Sequence, residues 1–261
     1  MAPPNIVLFG ETGAGKSSVV NLLAGANVSG TSSGSIGCTF KSTAYNVSID
    51  GTMFKLHDTA GLDEGQGGGI VKQHAILQLY ELLRKLNEGV NLLIFCMRGP
   101  RIKESVFRNW QLFWDIICQR RVPILLAITG LENEEDMDAW WGRNQEHFTR
   151  YQIYPSSVAC ITATRGRRRP DGSFNFDREY AESLEKLRKA IFAIYRLDAW
   201  KVGRVEWLKK IVETSYASGK EGVEEIKTSR TVLGSATNEL ISRGLMDREE
   251  AEELAWLLRD I

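Results

Sequence analysis

With four cysteines in 261 residues and no CxxC pair among them, this chain lacks the pattern of a disulfide framework or a zinc site. Cys38, Cys96, Cys118 and Cys160 are scattered, which suits buried free thiols in a reducing, cytoplasmic setting. Neither sign of charge is in excess: 33 basic residues face 33 acidic ones, so composition gives no reason to expect nucleic-acid binding. The three histidines, His57, His74 and His147, have no metal-ligand spacing. The longest apolar run, Val90–Met97, falls far short of the ~20 residues that cross a bilayer, and no transmembrane segment is expected. Met1-Ala-Pro-Pro4 lacks the charged and apolar regions of a signal peptide. Peripheral membrane association is left open by these counts.

What is present begins with Gly10-Glu-Thr-Gly-Ala-Gly-Lys-Ser-Ser18, set between the apolar runs Asn5–Phe9 and Val19–Leu23. Strand, glycine-rich turn and helix follow in order, with GxxxxGKS in the turn; this is a P-loop in the context that supports it. Across Gly10, Glu11, Thr12, Gly13, Ala14, Gly15, Lys16, Ser17 and Ser18, backbone N–H groups can converge on phosphate oxygens. The helix that follows turns its positive end to the same anion. Lys16 can reach the terminal phosphates, and Ser17 offers a hydroxyl to Mg²⁺.

Short β-branched runs alternate with longer helical patterns, which predicts an α/β fold: a mostly parallel six-stranded sheet between helices. Strands are expected near Asn5–Phe9, Ser42–Ile49, Met53–His57, Asn91–Met97, Pro123–Ile128 and Ser157–Ile161. Asp50-Gly51 marks a hairpin, so the second strand is the antiparallel exception. Helices are expected over Lys16–Ala24, Ile70–Leu86, Ser105–Cys118, Glu134–Tyr151 and Arg178–Tyr195. Val106, Trp110, Phe113, Trp114 and Ile117 form a stripe at helical spacing, read as core-facing. Trp140-Trp141 is likewise assigned to the core. Beyond about Asp198 the reading is helical throughout, with Val205, Leu208, Ile211, Val212 and Tyr216 on one face. A last helix opens on a capping box at Asp247 and Glu250 and carries Ala251, Leu254, Ala255 and Leu258. The expected division is residues 1–197 as the phosphate-binding domain and 198–261 as a helical extension.

Asp58-Thr-Ala-Gly-Leu62 directly follows the third strand. An acidic residue there can hold Mg²⁺, and the Gly61 amide can approach a γ-phosphate. Ser29–Gly37 is rich in Ser, Gly and Thr, and Gly61–Gly69 holds five glycines in nine residues; both read as functional loops. Thr39 is placed to give a mobile loop's hydroxyl to Mg²⁺, with Thr31, Ser32, Ser33 and Ser35 as rivals. The metal set expected is thus Ser17, Thr39 and Asp58. Arg165, Arg167, Arg168 and Arg169 form a short basic run, read as a solvated loop.

Through GETGAGKSS and DTAGL the chain resembles the translation-factor-type P-loop GTPases. Within them it is most similar to the septin–paraseptin branch with its immunity-associated and chloroplast import-receptor G domains, and most of all to G-domain proteins of fungi with FCMRGPRI and ITGLE after successive strands. The likeness spans about residues 5–197 and implies a three-layer G domain that binds GTP and GDP. The guanine-reading [NT]KxD corresponds to Thr129-Gly-Leu-Glu132, where Gly130 replaces the lysine and Glu132 the aspartate. A carboxylate can accept from guanine N1–H and the exocyclic amine, which adenine cannot offer. Thr162, Ala163 and Thr164 match the last motif, whose backbone touches the base.

Leu62 stands where many such proteins carry a water-orienting glutamine, and leucine cannot hydrogen-bond water; Gln66 is a distant substitute. The resemblance implies G domains paired face to face across their nucleotides, which makes Arg101, with Arg98 behind it, the candidate arginine acting in trans. An exposed structural arginine is the competing reading. The expected catalytic set is Lys16, Thr39, Gly61 and Arg101, acting on Mg²⁺–GTP as a conformational or assembly switch that is slow as a monomer. Two rivals stand beside it: an ATP-binding P-loop protein, and a nucleotide-binding scaffold without useful turnover.

Overall fold

The computed structural model describes residues 2–29, 42–59, 61, 69–203, 205–219 and 222–259. The chain divides into two compact units, Met1–Val202 and Gly203–Ile261.

In the first unit, strand β1 (Asn5–Gly10) is buried along its whole length, as a central parallel strand covered on both faces must be. Around it stand β2 (Thr43–Ile49), β3 (Thr52–Asp58), β4 (Leu92–Arg98), β5 (Ile124–Thr129) and β6 (Ser157–Cys160), in spatial order β2-β3-β1-β4-β5-β6. Every pairing is parallel except β2–β3. There Asp50 and Gly51 both take positive φ, and this tight turn matches the twist of the hairpin. The expected mixed six-stranded α/β architecture is therefore present.

Alternation along the strands divides the core in two. Ile6, Leu8, Leu56, Ile94 and Leu125 join Val19, Leu22 and Leu23 of α1 (Lys16–Ala24) and Leu187 and Ile191 of α5 (Asp177–Ile194). On the other face Phe9 meets Phe95 and Phe113 at ring-centroid distances of 5.0 and 5.3 Å, and Trp110 packs edge-on against Phe95. The aromatic stripe is thus core, with Trp114 half-buried at its edge. The single helix expected over Ser105–Cys118 is an α-helix, α3 (Glu104–Trp110), that widens into π-turns over Gln111–Ile117. The Cys118 N–H closes the wide turn on the Phe113 carbonyl at 2.8 Å. Helices α2 (Gly69–Lys85) and α4 (Met137–Arg150) complete the layers. Trp140 is buried and Trp141 half-buried.

The boundary expected at 197/198 falls inside the first unit. Val90 and Trp200 exchange backbone hydrogen bonds of 2.7 and 2.9 Å, and Asn91 Nδ2 donates to the Arg196 carbonyl at 2.8 Å. These bonds tie the chain after α5 to the start of β4.

The second unit corrects the wholly helical expectation. Val205–Tyr216 does not form one helical face: β7 (Leu208–Gly219) and β8 (Gly222–Leu233) make an antiparallel hairpin from Leu208↔Leu233 to Gly219↔Gly222. Leu208, Ile211 and Val212 suit a 3.6-residue period, but Ile211 and Val212 point to opposite faces of a strand, and Val212 is exposed. Residues 208–233 also carry several Val, Ile and Thr, which favour extended backbone, and Gly219 and Gly222 divide the segment. The C-terminal helices are α6 (Ser235–Ser242) and α7 (Arg248–Leu258). The capping box is formed: Asp247 accepts the Glu250 N–H at 2.8 Å while Glu250 accepts the Asp247 N–H at 3.3 Å. Ala251, Leu254, Ala255 and Leu258 are buried.

A polar knot closes the edge of the sheet opposite the P-loop. Asn5 donates its N–H to Asn91 Oδ1 at 2.7 Å and its amide to the Gly89 carbonyl at 2.8 Å; Asn5 Oδ1 lies 2.9 Å from His57 Nε2. Burial, with Lys55 nearby, pushes the His57 pKa down to about 4. An unfolded His57 takes up its proton near 6.5, so between these values the unfolded chain holds more protons and stability rises with pH. The melting temperature should therefore fall as pH drops from 6.5 toward 4, and His57→Gln should flatten that slope. Thermal unfolding of both proteins across this window checks it; parallel slopes would refute the assignment.

Candidate functional site

Because the central strands run parallel, their C-terminal ends deliver Gly10, Asp58, Arg98, Thr129 and residues 161–164 to one edge of the sheet. Such an edge is where open α/β sheets bind ligands.

The P-loop leaves β1 through backbone packing that admits no side chain. Gly10 has φ +145°, and a Cβ there would lie 2.1 Å from the Cys96 carbonyl oxygen on β4. Gly15, at φ +89°, caps α1, and a Cβ there would meet the Thr129 side chain at 3.2 Å. Lys16 is buried, and its ammonium donates to the Gly10 and Glu11 carbonyls at 3.1 and 2.8 Å, curled over the loop it belongs to. Beneath it, burial pushes the Cys96 thiol up to about 12, with Lys16 pulling the other way. That thiol is a neutral wall rather than a nucleophile.

Ser17 Oγ donates to Asp58 Oδ2 at 2.6 Å, joining the start of α1 to the end of β3. Ser29 Oγ donates to the same oxygen at 2.9 Å. Asp58 Oδ1 is buried and has no hydrogen-bond partner among the described residues. A hydroxyl and a carboxylate oxygen held together, with the second oxygen desolvated and unpaired, are the hard oxygen donors that Mg²⁺ selects. These residues fit the ion. Gly61 lies against the P-loop: a Cβ there would meet Thr12 Oγ1 at 2.0 Å and Thr12 N at 2.5 Å.

On the other flank, Thr129 Oγ1 donates to the Ala14 carbonyl at 2.9 Å, so β5 braces the P-loop from below. Gly130 is backed by Arg98, whose Cγ would lie 3.3 Å from an added Cβ. The Arg98 stem thus fills the space into which a side chain at 130 would emerge. Glu132 Oε2 is buried without a hydrogen-bond partner among the described residues. Thr162 shapes the neighbouring turn: its N–H donates to Ser183 Oγ at 2.9 Å and its hydroxyl to the Thr164 carbonyl at 3.1 Å. Ser18, Ala163 and Thr164 line a cavity of about 570 Å³ together with Asn21, Asn27, Arg165 and Phe174. In the basic run, Arg165 pairs with Asp177 and covers Phe174 at 4.3 Å, while Arg169 donates to Asn175 at 3.1 Å.

A second cavity, of about 250 Å³, lies between Glu11–Ala14 and the segment Arg98–Arg101. Arg101 is exposed at its rim. The Glu11 carboxylate, an unfavourable charge in a phosphate loop, is held outward by Lys103 at 3.2 Å and by the Ser105 hydroxyl. Trp140 donates its indole N–H to the Pro100 carbonyl at 3.2 Å.

Of the expected site residues, Thr39, its rivals Thr31, Ser32, Ser33 and Ser35, and Leu62 and Gln66 lie outside the described residues. The structure gathers Gly10–Ser18, Asp58, Gly61, Thr129, Glu132 and Thr162–Thr164 at one edge, with Arg101 beyond the P-loop. Sequence reasoning missed Asn21, Ser29, Lys103 and Ser105. Their signal is faint, since single polar residues in helices and loops carry no motif.

Residues 5–129 match the family model described as 50S ribosome-binding GTPase. No curated protein matches the chain. Among solved structures it is similar to a dimerisation-deficient variant of Toc33 from Arabidopsis thaliana, at 16% identity and a TM-score of 0.53, covering 74% of this chain and 84% of that one. A structure described as showing that dimerisation is important for the GTPase activity of the chloroplast translocon components atToc33 and psToc159 matches at 16% identity and TM-score 0.53, covering 78% and 87%. Era from Aquifex aeolicus bound to GDP·AlF4⁻ matches at 13% identity and TM-score 0.53, covering 98% and 87%. At these identities the likeness is one of fold.

Thr129→Val would leave the Ala14 carbonyl without its donor and should cost about 1–3 kcal/mol of stability, whereas Thr129→Ser should cost little. Urea unfolding of the two variants tests this; equal losses would remove the brace.

Proposed function

We propose that residues 5–197 bind Mg²⁺–GTP and hydrolyse it to GDP and phosphate, serving as a conformational or assembly switch. The observation that carries this reading is a pair of buried carboxylate oxygens with no protein partner among the described residues: Asp58 Oδ1 beside Ser17, and Glu132 Oε2 beyond the Thr129 brace. One suits a hard cation, the other the donor edge of guanine.

In this reading the P-loop amides and the N-terminus of α1 hold the β-phosphate, and Lys16 exchanges its loop carbonyls for β- and γ-phosphate oxygens. Ser17, Thr39 and Asp58 would hold the Mg²⁺, which when bound would neutralise charge on the β- and γ-phosphates. The Gly61 amide reports the γ-phosphate. Water attacks the γ-phosphorus, the bond to the β–γ bridging oxygen breaks, and the electron pair leaves with GDP. Leu62 cannot orient that water, so we assign the missing donor to a second copy of the chain, through Arg101. Hydrolysis by an isolated protomer is then slow. The buried Cys96, Cys118 and Cys160 thiols support a reducing cytoplasm as its setting.

Displacement of a fluorescent GTP analogue should require far less GTP than ATP; the reverse order would establish the ATP reading. Glu132→Ala should weaken GTP binding about 10- to 100-fold, the value of a hydrogen-bonded charge, and narrow the GTP/ATP ratio. Phosphate release per protomer should rise with protein concentration, and Arg101→Ala should abolish the rise while nucleotide affinity holds. Release absent at every concentration would support a scaffold, and an unchanged rise in the variant would exclude Arg101.

A further inference from the structure

Ser29 has three properties that its place in a Ser/Gly-rich segment does not announce. It is 4% exposed, its hydroxyl donates to Asp58 Oδ2 at 2.9 Å, and its backbone is fixed from α1. The fixing is done by one side chain. Asn21 Oδ1 accepts the N–H groups of Val28 and Ser29 at 2.9 and 2.7 Å, and Asn21 Nδ2 donates to the Ser29 carbonyl at 2.9 Å. Asn21 lies one helical turn beyond Ser17, so the same helix supplies one donor to Asp58 directly and positions the other.

Both hydroxyls converge on Oδ2, and Oδ1 is the oxygen left buried and unpaired among the described residues. A carboxylate held by one hydrogen bond can still swing about its Cβ–Cγ bond. Held from two sides on one oxygen, it presents the other in a fixed direction. A bond that only filled space would not need a buried hydroxyl, a clamped backbone and a shared acceptor together.

We propose that Ser29, clamped by Asn21, is a positioning residue for the Mg²⁺ site: it orients Asp58 so that Oδ1 faces the ion or its water shell. This rests on the Mg²⁺–nucleotide reading above. Groups that orient metal-site carboxylates commonly carry 10- to 100-fold in metal affinity.

The test follows release of a fluorescent GDP from the full chain as Mg²⁺ is titrated. Ser29→Ala should raise the Mg²⁺ concentration for half-maximal retention by roughly tenfold, Ser29→Thr should restore it, and Asn21→Ala, which keeps the hydroxyl but frees its backbone, should fall between. In EDTA all four proteins should release GDP at the same rate, a match that general unfolding of the site would not give. Thermal unfolding without nucleotide establishes that each variant is folded. Half-retention unchanged or lower in Ser29→Ala, while wild type responds to Mg²⁺, overturns the assignment alone. A wild type that holds GDP but ignores Mg²⁺ overturns the metal reading and this assignment with it.

Discussion

Everything on the phosphate-facing edge depends on one close approach of backbone to backbone, where Gly10 passes the Cys96 carbonyl with no room for a Cβ. That contact lets the chain leave β1 and double back into α1 while staying against β4. The Thr129 hydroxyl then fixes the loop's far side through the Ala14 carbonyl. Neither interaction is chemically reactive. Together they hold the direction of the loop amides, and a rigid direction is what a dipole needs to favour an anion without reorganising.

The fold was legible where two signals coincided. Asp50-Gly51 between apolar runs marked the hairpin, and the run from Asn5 marked a strand buried on both faces. Val205–Tyr216 was misread because Leu208, Ile211 and Val212 satisfy a helical period over a short window, and no partner strand is visible from within it. The partner strand lies further along the chain, in Val223–Val232. The π-turns after Trp110 were invisible for another reason: the buried stripe has the same spacing whether the helix is regular or widened.

The site divides in the same way. Residues proposed to hold phosphates through their backbone carry motifs, so Gly10–Ser18 and Asp58–Gly61 are legible in the sequence. Glu132 was reached through the resemblance to the [NT]KxD motif, and the structure adds that one of its oxygens is buried and unpaired among the described residues. Asn21 and Ser29 act by holding other groups in place. Such work needs only an amide or a hydroxyl at the right point in space, and spacing along a chain does not encode it.

The salt bridge from Glu11 to Lys103, with the Ser105 hydroxyl on the same carboxylate, has a bearing on how this domain can be altered. It fastens the phosphate loop to the segment after β4. Lys103 is largely exposed and would return to water if the acid were exchanged, whereas the buried Ser105 hydroxyl would lose its acceptor. Exchanging the loop is therefore felt at the start of α3, through a serine rather than through a charge.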